Sequence, residues 1–232
     1  MKSLGWKVQK AENLEDEMLI GIQTMSEQIS AIVRERILRG KMELGKVIRQ
    51  ESLAEELNVS VVPLRQALAR LHHEGVLCYL AHRGYFVRSF TEAQLFELYT
   101  LRLKLEPDSI ALASTVATFE ERSSAKRALQ QLNSAYERDP EGFEYARSGF
   151  SISLLQPFNQ EIIFDILIRL IRLSAQAWIQ HMQGDWAHSV NLQTAVSIYH
   201  AWTAARSSEV AAKVREDIER NCRTCFPPSN ST

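Results

Sequence analysis

Between residues 49 and 84 the chain carries side chains suited to binding a polyanion. These are Arg49, Arg65 and Arg83, with the small polar or flexible Ser60 and Gly84 beside them. A guanidinium forks onto a guanine edge or a phosphate, and a serine hydroxyl at a helix start meets a phosphate oxygen. Residues 58–90 hold Arg65, Arg70, Arg83 and Arg88 against the single acid Glu74, whereas Glu12, Glu15, Asp16 and Glu17 cluster near the N-terminus. The formal net charge of −1 over 232 residues excludes a protein that coats nucleic acid by bulk charge. It leaves room for one that binds at a local basic surface.

Other reactive residues form weaker patterns. His181, His188 and His200 invite a metal reading, but Gly184 in the intervening MQGDWA is expected to break the helix, so no shared face is assured. Cys222 and Cys225 form a C-x-x-C that ends a helix instead of starting one, and zinc needs two further ligands; they read as incidental thiols. No G-x-S-x-G, H-E-x-x-H or glycine-rich phosphate loop occurs, so no enzyme, metal or cofactor is expected. Three cysteines are poor material for a disulfide framework, and no stretch of about 18 apolar residues occurs. The expectation is a cytoplasmic protein without membrane association.

The elements that would position these residues follow from periodicity. After an acidic arm, residues 1–23, Thr24 or Ser26 caps a helix with Ile29, Ile32, Val33 and Ile37 on one side and Gly40 at its end. A second helix buries Leu53, Ala54 and Leu57, and Asn58 suits the turn after it. Ser60 then caps a third, VVPLRQALARLHHEG, with Pro63 in its first turn and Leu64, Ala67, Leu68 and Leu71 inward. His72 and His73 on this helix read as solvent-facing filler. Two β-rich runs, Val76 to Leu80 and Tyr85 to Arg88, flank a turn at Ala81, His82, Arg83 and Gly84. Residues 24–90 thus have the outline of a winged helix-turn-helix, the third helix entering the major groove.

From Thr91 to residue 225 the pattern is all helical, with a kink or break expected at Pro107. Further helices are expected at about 119–138, 141–155, 159–182, 186–205 and 207–224. The stretch IIFDILIRLIRLSAQAW is apolar almost all round, as for a central bundle member or a subunit interface. Residues 226–232 form a tail. The fold class is mainly α: a winged helix-turn-helix followed by an all-α bundle.

Leu53, Ala54, Leu57, Val59, Ser60, Pro63, Arg65, Ala67, Leu68, Leu71, Gly75, Arg83, Gly84, Phe86 and Val87 occur in the order of a known motif. The segment resembles the DNA-binding domain of GntR-family regulators. More weakly, through Arg102, Glu106, Asn159 and the last two helices, residues 91–220 resemble the FadR-type (FCD) ligand domain. The resemblance implies a metabolite-responsive repressor that binds a palindromic operator as a homodimer, with DNA contacts from Arg49, Ser60, Val61, Val62, Arg65, His82, Arg83 and Gly84. Val61 and Val62 replace residues that are often polar in the family, and are placed to touch thymine methyl groups. Many FCD domains hold a metal through one Asp and three His; Arg147, Ser151, Val196 and Ile218 or Asp217 fall at those positions, so no metal site is expected.

Arg147 admits two readings: a guanidinium that replaces the metal and captures a carboxylate effector, or a surface arginine. Arg102 and Glu106 read as a structural ion pair at the mouth of the effector pocket. Arg102, Arg147, Ser151 and His200 are the expected effector contacts. A helical interaction protein with weakened DNA binding, and less so a metal-dependent enzyme, are the alternatives, and activation is as compatible with the residues as repression.

Overall fold

The computed structural model describes residues 24–181 and 186–225. The arm, the tail and the expected break at Gly184 lie outside the described residues, as do the side chains of His181 and His188.

Helix α1 (Met25–Leu38) starts in a capping box: the Thr24 hydroxyl accepts from the Glu27 N–H, and the Glu27 carboxylate accepts from the Thr24 N–H. Gly40, at φ +67°, turns the chain out of it. Helices α2 (Gln50–Glu56) and α3 (Val61–His73) follow, joined by a turn in which Asn58 takes φ +52°. Val33 and Ile37 of α1 and Leu64, Ala67, Leu68 and Leu71 of α3 are buried together. Strands β1 (Leu77–Leu80) and β2 (Gly84–Val87) pair antiparallel, Leu77 opposite Val87 and Leu80 opposite Gly84. The segment before α2 adds an outer edge to this hairpin: Ile48 N–H donates to the Tyr85 carbonyl and Gly45 N–H to that of Val87.

The bundle begins with α4 (Glu92–Val116), capped by Thr91 and Gln94. The expected break at Pro107 does not occur. Proline leaves the carbonyl four residues earlier, that of Leu103, without its helical donor. The Arg215 guanidinium from the last helix donates to that carbonyl at 3.3 Å. Then come α5 (Phe119–Arg138), a 3₁₀ turn (Pro140–Gly142), α6 (Phe143–Leu155), α7 (Glu161–His181), α8 (Trp186–Thr203) and α9 (Ser207–Cys225). Helix α4 packs on α9, α7 and α6 around buried Tyr99, Phe143, Trp178 and Trp202.

Helix α7 is a central member, because its C-terminal half is covered by the bundle on one side and by the winged head on the other. The Gln176 amide donates to the carbonyls of Arg88 (2.8 Å) and Val76 (3.2 Å). Gln180 accepts from the Phe90 N–H (2.9 Å) and donates to the Phe90 carbonyl (3.0 Å), closing the peptide's two polar groups as a neighbouring strand would. Arg39 at the end of α1 binds Asp139 at 2.7 Å.

Candidate nucleic-acid interface and bundle cavity

The starts of α2 and α3 lie side by side. Arg49 is the N-cap of α2 and is exposed, and exposed Arg65 on α3 donates from Nε to the Gln50 side chain at 3.3 Å. Ser60 occupies the N-cap of α3, but its hydroxyl makes no capping bond and is exposed, leaving it open to an outside acceptor or donor. The two valines separate. Val62 is 69% exposed, whereas Val61 is half-buried and packs on the head's core, so Val62 alone presents a full apolar surface outward.

At the wing tip Arg83 N–H donates to the Leu80 carbonyl, and His82 takes φ +65° and Gly84 φ +86°. The left-handed turn is where glycine costs least. His82 and Arg83 are both exposed there. His72 and His73 are exposed, as expected, but His72 also ties α3 to the wing: Nδ1 lies 3.2 Å from the Leu77 carbonyl oxygen, and the ring packs near those of Tyr79 and Tyr85. Two histidines in a row on a helix gave no sign of this, because the contact partners come from the hairpin.

Inside the bundle, α4, α6, α8 and α9 line a narrow recess of about 20 Å³, room for little more than a water-sized group. Glu106, Arg147, Ser151, Asn191 and Asp217 supply its polar lining and Phe150 part of the apolar one. Arg102 forks onto Glu106 at 2.6 and 2.9 Å, and both are buried. Arg102 supports the recess through Glu106 instead of lining it.

Arg147 is buried, which removes the reading of it as a surface arginine. Its Nε and Nη2 bind Glu144 at 2.8–3.0 Å, its Nη1 lies 3.8 Å from Asp217, and the guanidinium sits 5.6 Å from the Trp178 ring centroid. Burial opposes its charge, but the Glu144 and Asp217 carboxylates hold it above the usual arginine range. Burial raises Asp217 above the usual carboxylate range, with Arg147 and Arg220 pulling the other way. The Asn191 Nδ2 is buried without an acceptor among the described residues, while its Oδ1 accepts from Arg220.

His200 does not belong to the recess. Asn191, Ala195 and Ile198 line it at helical spacing, and His200 lies two residues on from Ile198, about 200° around the helix, in solvent. Of the two residues weighed for one position, Asp217 lines the recess and Ile218 is buried in the core. Sequence reasoning missed Asn191 and Glu144. Glu144 precedes Arg147 by three residues, the spacing of a helical ion pair, and was the available signal.

The family model described as bacterial regulatory proteins, gntR family, matches residues 25–87. The Nta operon transcriptional regulator of Aminobacter aminovorans is 44% identical over 184 residues, covering 76% of this chain and 83% of that protein. The chain belongs to the GntR family. A second GntR relative, the HTH-type transcriptional regulator McbR of Escherichia coli K12, is 24% identical over 205 residues, 86% of each chain. The solved structure of E. coli McbR/YncC superposes with a TM-score of 0.75 at 20% identity, covering 88% of this chain and 98% of that one. This GntR protein is accordingly a DNA-binding transcriptional regulator and not an enzyme. Among the described residues no helix is long and apolar enough to cross a membrane.

Proposed function

We propose that this GntR regulator is a cytoplasmic, metabolite-responsive repressor that binds a near-palindromic operator as a homodimer, through a head spanning 24–90 and an FCD-type effector and dimerisation domain spanning 91–225. The observation that carries the DNA reading is the joint exposure of Arg49, Ser60, Val62 and Arg65 at the starts of α2 and α3. Helix α3 enters the major groove with Arg65 at a base edge or phosphate and Val62 against a thymine methyl, while His82, Arg83 and Gly84 approach the adjacent minor groove. Selection of bound sequences from a random duplex pool tests this. The expected product is a two-fold symmetric site with half-sites one helical turn or a multiple apart, bound by two chains. Recovery of no sequence, with weak salt-insensitive binding, would favour a helical interaction protein instead.

The recess is the effector site. Arg147 stands where the FCD pattern would place the first metal ligand, and a buried cation there does not fit a divalent metal. Glu144 already occupies most of its donors, so an acidic effector is received by Nη1 of Arg147 and by the free Asn191 amide, with Ser151 at the wall. A carboxylate of small size suits both donors. Thermal unfolding of EDTA-treated protein against small carboxylates, sugar acids and divalent metals tests it: a carboxylate raises stability without metal, and Asn191→Leu abolishes the shift.

A further inference from the structure

Where the end of the recognition helix meets the bundle, arginines outnumber carboxylates. Glu74, the residue after α3, is bound by Arg34 of α1, by Arg172 of α7 at 3.4 Å and by Arg70 of its own helix at 3.5 Å. Arg70 is also held by Glu27 at 2.7 Å. Arg169, three residues before Arg172 on α7, lays its guanidinium against Gly75, where an added Cβ would lie 2.9 Å from Nη2. Among the described residues Arg169 has no hydrogen bond or ion pair. Four guanidinium groups therefore gather around two carboxylates, and two positive charges stay uncompensated.

The surroundings make that excess costly. The Arg34 and Arg172 side chains are only 13% and 27% exposed, so water screens them incompletely. Arg34 Nε is buried with no acceptor among the described residues. Burial, and then the Arg34 charge, hold Arg172 below the usual arginine range. A lone carboxylate shared by three guanidiniums does not saturate their planar donor pairs, and a tetrahedral oxyanion with two charges would do so.

We infer that this junction binds a small multivalent oxyanion of the phosphate class, held by Arg34, Arg169 and Arg172, which fastens the C-terminal end of the recognition helix to α7. The site is separate from the bundle recess and involves neither Arg147 nor Asn191. Free phosphate offers both charges, whereas a DNA-backbone phosphodiester offers two non-bridging oxygens and a single charge, so the two sources are distinguishable.

The test is thermal unfolding of the full chain with inorganic phosphate, against sodium chloride at matched ionic strength. The expected result is a saturable rise in Tm beyond the chloride control, about 3–6 °C at ~10 times the dissociation constant. Arg169→Gln, at an exposed position, is expected to remove most of the rise, as is Arg172→Gln, while Arg206→Gln, just before α9, leaves it intact. A random-sequence duplex is tested in parallel. A shift with the duplex alone, lost in Arg169→Gln, would overturn the small multivalent anion and assign the site to the DNA backbone. A phosphate shift no larger than the chloride control, together with a duplex shift unchanged by Arg169→Gln, overturns the inference; so does a phosphate shift that survives Arg169→Gln. Because the phosphate arm contains neither operator nor effector, its outcome is independent of the repressor reading.

Discussion

The guanidinium of Arg147 lies over the indole of Trp178, 5.6 Å from the ring centroid, so the bundle recess and the helix that carries the head meet at one contact. Trp178 is buried, and Gln176 and Gln180 beside it on α7 hold the head. Trp178→Ala is expected to cost about 3–5 kcal/mol through the cavity it leaves, and Trp178→Phe distinctly less. Urea unfolding measures both; a cost below about 1 kcal/mol for the alanine variant would show that the indole is not packed as described.

Arg102 and Glu106 form a buried pair whose two halves are unequal to lose together and alone. Removing one carboxylate in Glu106→Ala strands a buried guanidinium and is expected to destabilise by about 3–5 kcal/mol. The double replacement Arg102→Met with Glu106→Leu should recover most of that. Denaturant titration of the three proteins gives the coupling, and equal losses in single and double variants would refute it.

At the DNA face, Arg65→Ala is expected to lower affinity for a selected site by about 1–3 kcal/mol and to relax preference at one base position. Arg83→Ala should instead weaken binding to all duplexes alike and reduce the salt slope by about one. Fluorescence anisotropy at several salt concentrations separates the two patterns.

Asp217 makes the fold sensitive to pH in a definite direction. Its carboxyl is raised in the folded protein, so the folded state holds a proton that the unfolded chain releases near the ordinary carboxylate value. Its contribution to stability is complete below that value and is lost as pH rises through the folded pKa. Asp217→Asn mimics the protonated form. Relative to the parent, its stability should therefore improve with rising pH across that window; an unchanged difference would mean that Asp217 does not titrate there.

Burial pushes the Cys225 thiol up to about 11, and the nearby Tyr99 hydroxyl, 3.8 Å from Sγ, does not offset it. Against an ordinary thiol at 9.0, its thiolate fraction near pH 8 is about 100-fold smaller. Alkylation of the native protein followed by peptide mass analysis should find Cys225 nearly unmodified when Cys78 has reacted. Comparable labelling at Cys225 would count against its burial.

Local signals carried most of the head and the helix ends. Thr24, Thr91 and Thr118 cap the helices that follow them, each with a Glu or Gln three residues on, and such boxes are readable without knowing the fold. Features set by distant partners were not readable. Pro107 announces a break, and only the arrival of Arg215, 108 positions later, relieves it. The strand-like edge at 45–48 depends on β2. Gln176 and Gln180 look like polar interruptions of an apolar helix until the head is packed on them. For the recess, Arg147 and Ser151 were named through the resemblance to FCD domains, whose first two ligand positions they occupy, whereas His200 was taken for its chemistry although its angular position on α8 turns it away from the recess.

The bidentate grip of Gln180 on the Phe90 peptide bears on how such regulators diversify. A recombinant chimera that joins this head to another bundle at residue 90 would sever no covalent element, yet would leave two peptide groups and the carbonyls of Val76 and Arg88 without their seat. Exchange of operator specificity by domain shuffling therefore requires α7 to travel with the head, or its two glutamines to be transplanted into the recipient.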